Sequence, residues 1–282
     1  MTKIITNCIT LFSLATISNI IIASPYCANW DITVPKGHLN LLEASGIALG
    51  NNEANLYHIE DSGNKPKVHV TDLAGSTIRR VSIKNAKNKD WEALAIGACP
   101  TGPERCLYIA DFGDNRKKRK SYHIYIVEES KLKATSAKAK SLKFTYSDGK
   151  SHNAEGASMH PNGDLFLFTK GDTTMVFRIP KANLAKNKAI AQLMGSLPVE
   201  TSTGADIHPM GNRTLILDYI GATEFQVDLL NRSSYKNAAS TKITLRTQAQ
   251  QEAIMYKSPQ EIVFTSERKK NFIGRIPCKP RK

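Results

Sequence analysis

Beyond its first 25 residues the sequence has no apolar run long enough to cross a membrane, and it lacks the signatures of several enzyme classes. No stretch of about 18 apolar residues occurs there, which excludes an internal membrane-spanning helix. The motifs GxSxG and HExxH and the Walker loop are missing, so nothing indicates a nucleophile elbow, a zincin or a P-loop nucleotide site. A helical period is weak and confined to the region near 181–188.

Acidic residues are also few relative to basic ones. The 282 residues include 25 Asp and Glu against 39 Lys and Arg, which gives a formal net charge of +14. Hydrophobic residues make up 41% and charged residues 23%, a globular composition that excludes a disordered or collagen-like chain. The length suits one large domain or two small ones.

Residues 1–23 have the pattern of a secretory signal peptide. Lys3 places a positive charge before a mostly apolar stretch at 11–22, and Ala23 and Ser24 are small residues suited to cleavage. An uncleaved anchor helix is the alternative, but the stretch is short and interrupted by polar residues. We therefore predict export to the periplasm or to the outside of the cell, with a single mature domain at residues 24–282.

The predicted mature chain keeps four cysteines, an even number that indicates disulfides in an exported protein. Cys99 and Cys106 flank a segment rich in proline and glycine, which predicts a bond across a turn. Cys27 and Cys278 then remain to join the two ends of the mature chain. The alternatives are free thiols or a metal cluster, but no CxxC spacing supports a zinc site.

Short apolar segments that begin with small or acidic residues recur along the mature chain. Their spacing is about 47 to 63 residues, close to the period of a β-propeller blade. Each is followed by a second and a third strand-like stretch, and most of them by a fourth. The segments begin at Ser45, Trp91, Ala154, Gly204 and Gln251.

The last unit ends after its third strand, and residues 32–35 can supply the missing fourth strand. Such ring closure removes exposed sheet edges, and the Cys27–Cys278 bond would secure it. The sequence therefore predicts an all-β fold, a five-bladed β-propeller closed by an N-terminal strand. Six blades are the alternative, because the longer second unit has room for another.

Nearly every predicted unit places a carboxylate at the start of its first strand or at the end of its second. In a propeller these positions lie on one face near the axis. Converging carboxylates repel each other, and calcium, with six to eight oxygen ligands, relieves that repulsion. The alternative for each single acid is a hydrogen bond to backbone amides at a strand end. The predicted metal ligands are Asp61, Glu92, Asp111, Glu155, Asp206 and Glu252.

Basic residues follow several of the second strands, so the same topology predicts a basic rim around the acidic face. An acidic axis that holds a cation inside a basic rim favours an anionic ligand, either a small molecule or a polymer. A solvated loop is the alternative for the run at 116–120. The predicted ligand-binding residues are Arg116, Lys170 and Arg268.

Several short motifs occur in an order typical of one family. The strongest is Asp-Phe-Gly-Asp-Asn at 111–115, supported by Asp-Trp-Glu at 90–92 and Glu-Asp-Ser-Gly at 60–63. Through them the chain resembles secreted bacterial β-propellers grouped with the "esterase-like activity of phytase" proteins. The resemblance implies a propeller with an acidic face. Gln251 and the Tyr219–Ile220 pair depart from it, where glycine and a longer polar turn are expected.

These patterns favour an exported, monomeric propeller that binds an anionic ligand at a calcium-containing face. The alternative is a metal-dependent hydrolase, a phytase-like phosphoesterase or a lactonase-like enzyme, in which Glu155 or Glu252 acts as the base. Binding of nucleic acid or an anionic surface is disfavoured, because Tyr122 is the only aromatic candidate near the run at 116–120.

Overall fold

A computed structural model describes residue 41 and residues 43–245, 250–267 and 272–278. The predicted signal peptide, the closing strand at 32–35, Cys27 and Arg268 lie outside these residues. Among the described residues, no helix combines the length and the apolar character that crossing a bilayer requires.

The described chain is all-β and consists of successive antiparallel meanders. The first contains β1 (Ala44–Leu49), β2 (Asn55–Glu60), β3 (Lys67–Asp72) and β4 (Thr77–Lys84). The second contains β5 (Trp91–Ala98), β6 (Arg105–Asp111) and β7 (Tyr122–Glu128), and after a 3₁₀ turn (Glu129–Lys133) and β8 (Ser136–Lys138) it is completed by β9 (Lys140–Tyr146).

The third meander contains β10 (Ala154–Met159), β11 (Leu165–Thr169), β12 (Thr174–Ile179), a short helix α1 (Lys181–Leu184) and β13 (Lys188–Leu197). The fourth contains β14 (Gly204–Ile207), β15 (Arg213–Leu217), β16 (Gly221–Gln226), a 3₁₀ turn (Arg232–Asn237) and β17 (Ala239–Thr244). The last contains β18 (Gln251–Ser258), β19 (Glu261–Ser266) and β20 (Ile273–Pro277).

Two parallel strand pairs connect neighbouring meanders. β8 leaves the second meander and pairs with β4 of the first, and β9 pairs with β13 of the third. The extra length of the second unit therefore forms a 3₁₀ turn and one short edge strand. Within the described chain it does not form a sheet of its own.

The first strands of the meanders contact each other in cyclic order, β1, β5, β10, β14 and β18, and β18 returns to β1. Apolar layers fill the gaps between successive meanders. One of them joins Ile47 and Leu56 of the first meander to Met255 and Val263 of the last. The described sheets are thus arranged around a common axis.

A small residue recurs near the start of each first strand because the innermost strands approach closely there. A Cβ atom added to Gly46 would lie 2.9 Å from the backbone nitrogen of Leu94 on the neighbouring first strand. A larger side chain would push the two strands apart. Close packing around the axis thus explains the small residues of the repeat.

The disulfide predicted between Cys99 and Cys106 is confirmed, with a Cα–Cα distance of 4.8 Å across the β5–β6 connection. Cys278 is also disulfide-bonded. Its predicted partner, Cys27, lies outside the described residues, so that pairing stays a prediction.

Candidate functional site

β-bulges place a set of acidic side chains at the start of the first strands. The register shifts between Trp91 and Ala93, between Ala154 and Gly156 and between Gln251 and Ala253, so each shift leaves a glutamate as the extra residue. A bulge re-aims the side chain of its extra residue. The three bulged residues are Glu92, Glu155 and Glu252, and each is less than a tenth exposed.

The other two units carry uncharged residues at the same position. In the first unit the bulged residue is Ser45, whose hydroxyl donates to the backbone oxygen of Trp91 at 2.8 Å. In the fourth unit Thr203 directly precedes β14, and its backbone nitrogen donates to the oxygen of Leu217. The bulged acids therefore come from the adjacent second and third meanders and, separately, from the fifth, whose neighbours in the ring carry Thr203 and Ser45.

Three carboxylates converge between the first and second meanders. Asp61 follows β2, Asp90 precedes β5 and Glu92 lies in the β5 bulge, and one oxygen from each lies within 4.8 Å of the others. We call these residues the acidic triad. No Lys or Arg among the described residues forms an ion pair with them.

The other two bulged glutamates each accept a hydrogen bond from an amide two residues earlier. Asn153 donates to Glu155 at 2.8 Å, and Gln250 donates to Glu252. The second unit has Asp90 at this position, so the residue beside Glu92 is a carboxylate that accepts hydrogen bonds and not an amide that donates one. The sequence-based prediction of the site does not include Asp90, although the replacement of an amide by an acid at this point of the repeat is visible in the sequence.

Burial and mutual repulsion raise the pKa values of two residues of the triad. Burial, with the nearby charge of Asp61, raises the pKa of Asp90 to about 6. Burial, followed by the charges of Glu155 and Asp61, holds the pKa of Glu92 well above its usual range. Such a site favours either bound protons or a bound cation.

Glu155 has a cation of its own. Lys170, which follows β11, places its ammonium 3.2 Å from Glu155 Oε1 and 5.0 Å from the centre of the Tyr219 ring. Burial raises the pKa of Glu155, and the Lys170 charge opposes that rise. Burial also raises the pKa of Glu252, to about 8. Lys170, one of the predicted ligand-binding residues, therefore lies beside the acidic residues.

The loop after β6 packs directly against the triad. A Cβ atom added to Gly113 would lie 2.5 Å from the carboxyl group of Asp90 and 2.5 Å from Glu92 Oε1. Only glycine fits at this position without displacing the two acids. The Asp-Phe-Gly-Asp-Asn motif thus places the backbone of a residue without a side chain, Gly113, against the triad.

Asp111 and Asp114 hold this loop in place. Asp111 Oδ1 pairs with Arg119 at 2.9 Å, and Arg119 also donates to the backbone oxygen of Gly113. Asp114 accepts from the backbone nitrogens of Lys118 and Arg119. Asp111, predicted as a metal ligand, is therefore not brought into the triad, because its carboxylate already binds Arg119.

Asp206, also predicted as a metal ligand, lies elsewhere along the axis. It is three residues past Thr203, a separation of about 10 Å along an extended strand. Its oxygens accept from Ser158 Oγ at 2.5 Å and from the backbone nitrogen of Tyr256 at 2.7 Å. The structure therefore separates Asp206 from the triad, and the acid in the fourth repeat is out of register with the others.

Arg116 is exposed in the same loop as Gly113. Of the predicted ligand-binding residues, Arg116 and Lys170 thus come from segments that contact the acidic residues. Of the predicted metal ligands, the structure brings Asp61 and Glu92 together, and it places Glu155 next to Glu92.

Comparison with known proteins gives the fold but no family. No protein-family model and no curated protein sequence matches the chain. The calcium-binding protein regucalcin from Agrobacterium tumefaciens is similar in structure, with a TM-score of 0.50, 11% identity, and coverage of 92% of this chain and 96% of that one.

Two further structures are similar at lower scores. A gluconolactonase from Xanthomonas campestris has a TM-score of 0.47 and 10% identity, covering 83% of this chain and 72% of that one. An auxiliary nutrient binding protein from Bacteroides thetaiotaomicron has a TM-score of 0.48 and 12% identity, and covers 83% of this chain. This chain spans only 56% of the nutrient-binding protein. The likeness to regucalcin shows a shared β-propeller fold and nothing finer.

Replacing Gly113 by alanine is expected to disrupt the triad. The added methyl group would lie 2.5 Å from the carboxyl groups of Asp90 and Glu92, so the loop or the acids must move. We expect a loss of about 1–3 kcal/mol in the free energy of unfolding, measured by urea denaturation. Gly171→Ala is the matched control, because its Cβ would lie 3.5 Å from the nearest atom. Equal effects of the two substitutions would contradict this account of the loop.

The raised pKa of Glu252 predicts how stability changes with pH in the presence of a chelator. Between its usual value of 4.5 and about 8, the folded protein keeps a proton that the unfolded chain releases. Stability therefore falls as pH rises through this window. Glu252→Gln should flatten the fall, measured as the free energy of unfolding at pH 5, 6.5 and 8. Glu104→Gln, at an exposed position, should leave it unchanged; parallel curves for wild type and Glu252→Gln would rule out the assignment.

Proposed function

We propose that this protein is an exported β-propeller that binds calcium at the acidic triad and an anionic ligand beside it. The observation that carries the proposal is the convergence of Asp61, Asp90 and Glu92 within 4.8 Å with no cationic side chain paired to them in the described structure. Their mutual repulsion disappears when a divalent cation binds.

The chemistry of the triad suits calcium. Carboxylate oxygens are hard ligands, and calcium takes six to eight oxygen ligands, so protein carbonyls, water or a bound ligand can complete the shell around three carboxylates. The mixed burial of the triad, with Asp61 and Asp90 partly exposed, leaves one side open to such groups. Regucalcin, a calcium-binding protein, supports the proposal only as a protein of the same fold.

The positive charges near the triad support an anionic ligand. Lys170 is partly exposed beside Glu155, and Arg116 is exposed in the loop that packs on the triad. A phosphate or carboxylate group can bind the cation and Lys170 together. Arg268, the third predicted ligand-binding residue, remains part of the proposal.

The finer features of the fold belong to the same proposal. Five blades, closure by the strand at 32–35 and a Cys27–Cys278 bond agree with the cyclic contacts of the first strands and with the disulfide-bonded Cys278. The Cys99–Cys106 disulfide supports an oxidising compartment, and therefore export. The grouping with esterase-like phytase propellers rests on the short motifs alone.

A metal-dependent hydrolase is the second candidate, and the environment of Glu252 favours it. A carboxyl group with a pKa of about 8 can hold or release a proton near neutral pH, as an acid–base catalyst must. Glu155, held by Asn153 and Lys170, is the other candidate base. A bound calcium ion would polarise a phosphoryl or carbonyl oxygen. Phosphoesters and lactones are the substrate classes proposed.

Calcium is expected to stabilise the protein through the triad. At a concentration 100-fold above its dissociation constant, it should raise the Tm by about 5–10 °C over the value in EDTA. Asp90→Asn and Glu92→Gln should each abolish most of that shift, whereas Glu104→Gln should retain it. Thermal melts with calcium, magnesium and EDTA measure this. A wild-type Tm that is the same in calcium and EDTA would reject the calcium site.

Assays of turnover separate the two candidate functions. Hydrolysis of phosphoesters or lactones that requires calcium, and that falls at least 100-fold in Glu155→Gln or Glu252→Gln, would establish the hydrolase (such losses are usual for acid–base residues, about 10²–10⁴). Calcium stabilisation without any turnover would favour the binding protein. Turnover that persists in both variants would exclude these two residues as the base.

A further inference from the structure

A cleft of about 570 Å³ lies on the outer side of the second meander and shares no lining residue with the acidic triad. One wall is the β5–β6 connection, at Pro100 and Thr101. Strand β7 contributes Ile126, and the segment through the 3₁₀ turn and β8 forms the opposite wall. This volume lies within the range of about 300–1,000 Å³ typical of small-molecule sites.

The floor of the cleft is apolar and fixed. Cys99, Cys106, Ile126 and Ala137 all line it, and each is less than a tenth exposed. The disulfide ties the two cysteines together. Ala137 is held by the pairing of β8 with β4. An apolar chain would therefore bind to a preformed surface, and no part of the protein would have to become ordered on binding.

Lysines dominate the rim. Those at positions 131, 133, 138 and 140 are exposed, and Glu128 is the one acidic residue among the lining residues. Glu128 lies 3.7 Å from Lys131, and Lys140 donates to the backbone oxygen of Ala185. The side chains of Lys133 and Lys138 make no hydrogen bond or ion pair with any described residue. Two lysines on β8 and the preceding turn are thus available to an anion.

We propose that this cleft binds a single-chain anionic amphiphile, a molecule with an alkyl chain and a carboxylate, sulfate or phosphate head. The chain covers the apolar floor, and the head group pairs with Lys133 and Lys138. Burial of apolar surface contributes about 25 cal/mol per Å², and long lysine side chains can lie along an apolar chain while their ammonium groups reach the anion. A small inorganic anion would leave the floor exposed to water, and the rim repels a cationic amphiphile.

Decanoate, used below its micellar concentration, is the probe. Isothermal titration should show one decanoate bound per protein. Acetate tests the head group alone, and decyltrimethylammonium tests the chain with the opposite charge. Neither should bind. If decyltrimethylammonium binds as tightly as decanoate, the site is not selective for anions and the proposal is wrong.

Two variants test the location of the site. Ser136→Trp places a large side chain at the cleft wall and should abolish binding of decanoate, and Lys133→Gln combined with Lys138→Gln should weaken it by about tenfold. The matched controls, Ser240→Trp and Lys236→Gln combined with Lys242→Gln, alter exposed residues of the fourth unit and should bind decanoate like the wild type.

The thermal shift with calcium serves as a check on folding. If the triad binds calcium, a folded Ser136→Trp variant should show the same thermal shift as the wild type. If the triad does not bind calcium, the circular dichroism spectrum serves as the check on folding. Decanoate binding that is unchanged in Ser136→Trp and in the double lysine variant would overturn the proposal. Equal loss in the variants and their controls would overturn it as well.

Discussion

Repulsion among carboxylates that the backbone forces together is the constraint on which the arrangement of the acidic residues depends. The bulges at Glu92, Glu155 and Glu252 bury these side chains near the axis, where burial favours their protonated forms. Each unit meets that constraint differently. Asn153 donates a hydrogen bond to Glu155 and Lys170 forms an ion pair with it, and Gln250 donates to Glu252. At Glu92 the neighbouring residues are acids instead, so the repulsion there is concentrated in one place.

The most distinctive motif of the sequence acts through backbone rather than through its acidic side chains. Asp111 and Asp114 bind Arg119 and backbone amides, and the loop they shape places Gly113 against Asp90 and Glu92. The described partners of its carboxylates thus lie within the loop and beside it, and include Arg119 and backbone amides. Asn153, which accepts from the backbone nitrogen of Asp114 while donating to Glu155, connects this loop to the next unit.

The periodicity of the strands predicts most of the fold. The alternation of apolar residues and the small residues of the close-packed inner strands are both visible in the sequence. The site was harder to predict. In the sequence Asp206 occupies a position like that of the glutamates, near the start of a first strand. The pairing of β14 with β15 places it three residues beyond Thr203, and strand pairing cannot be deduced from so short a segment. Asp90 was overlooked because its role depends on the bulge that brings it beside Glu92, a feature of strand pairing rather than of composition.

The parallel pairing of β8 with β4 has a mechanical consequence. It fastens the second meander to the first by main-chain bonds across the seam at which Asp61 faces Asp90 and Glu92. The pairing of β9 with β13 fastens the next seam in the same way. In the described chain the other seams have no such strand pairing and are joined by apolar packing and by hydrogen bonds that involve side chains, such as those of Asp206 with Ser158 and Tyr256. The spacing of Asp61 from Asp90 and Glu92 is therefore set across a seam held by main-chain bonds as well as by side chains.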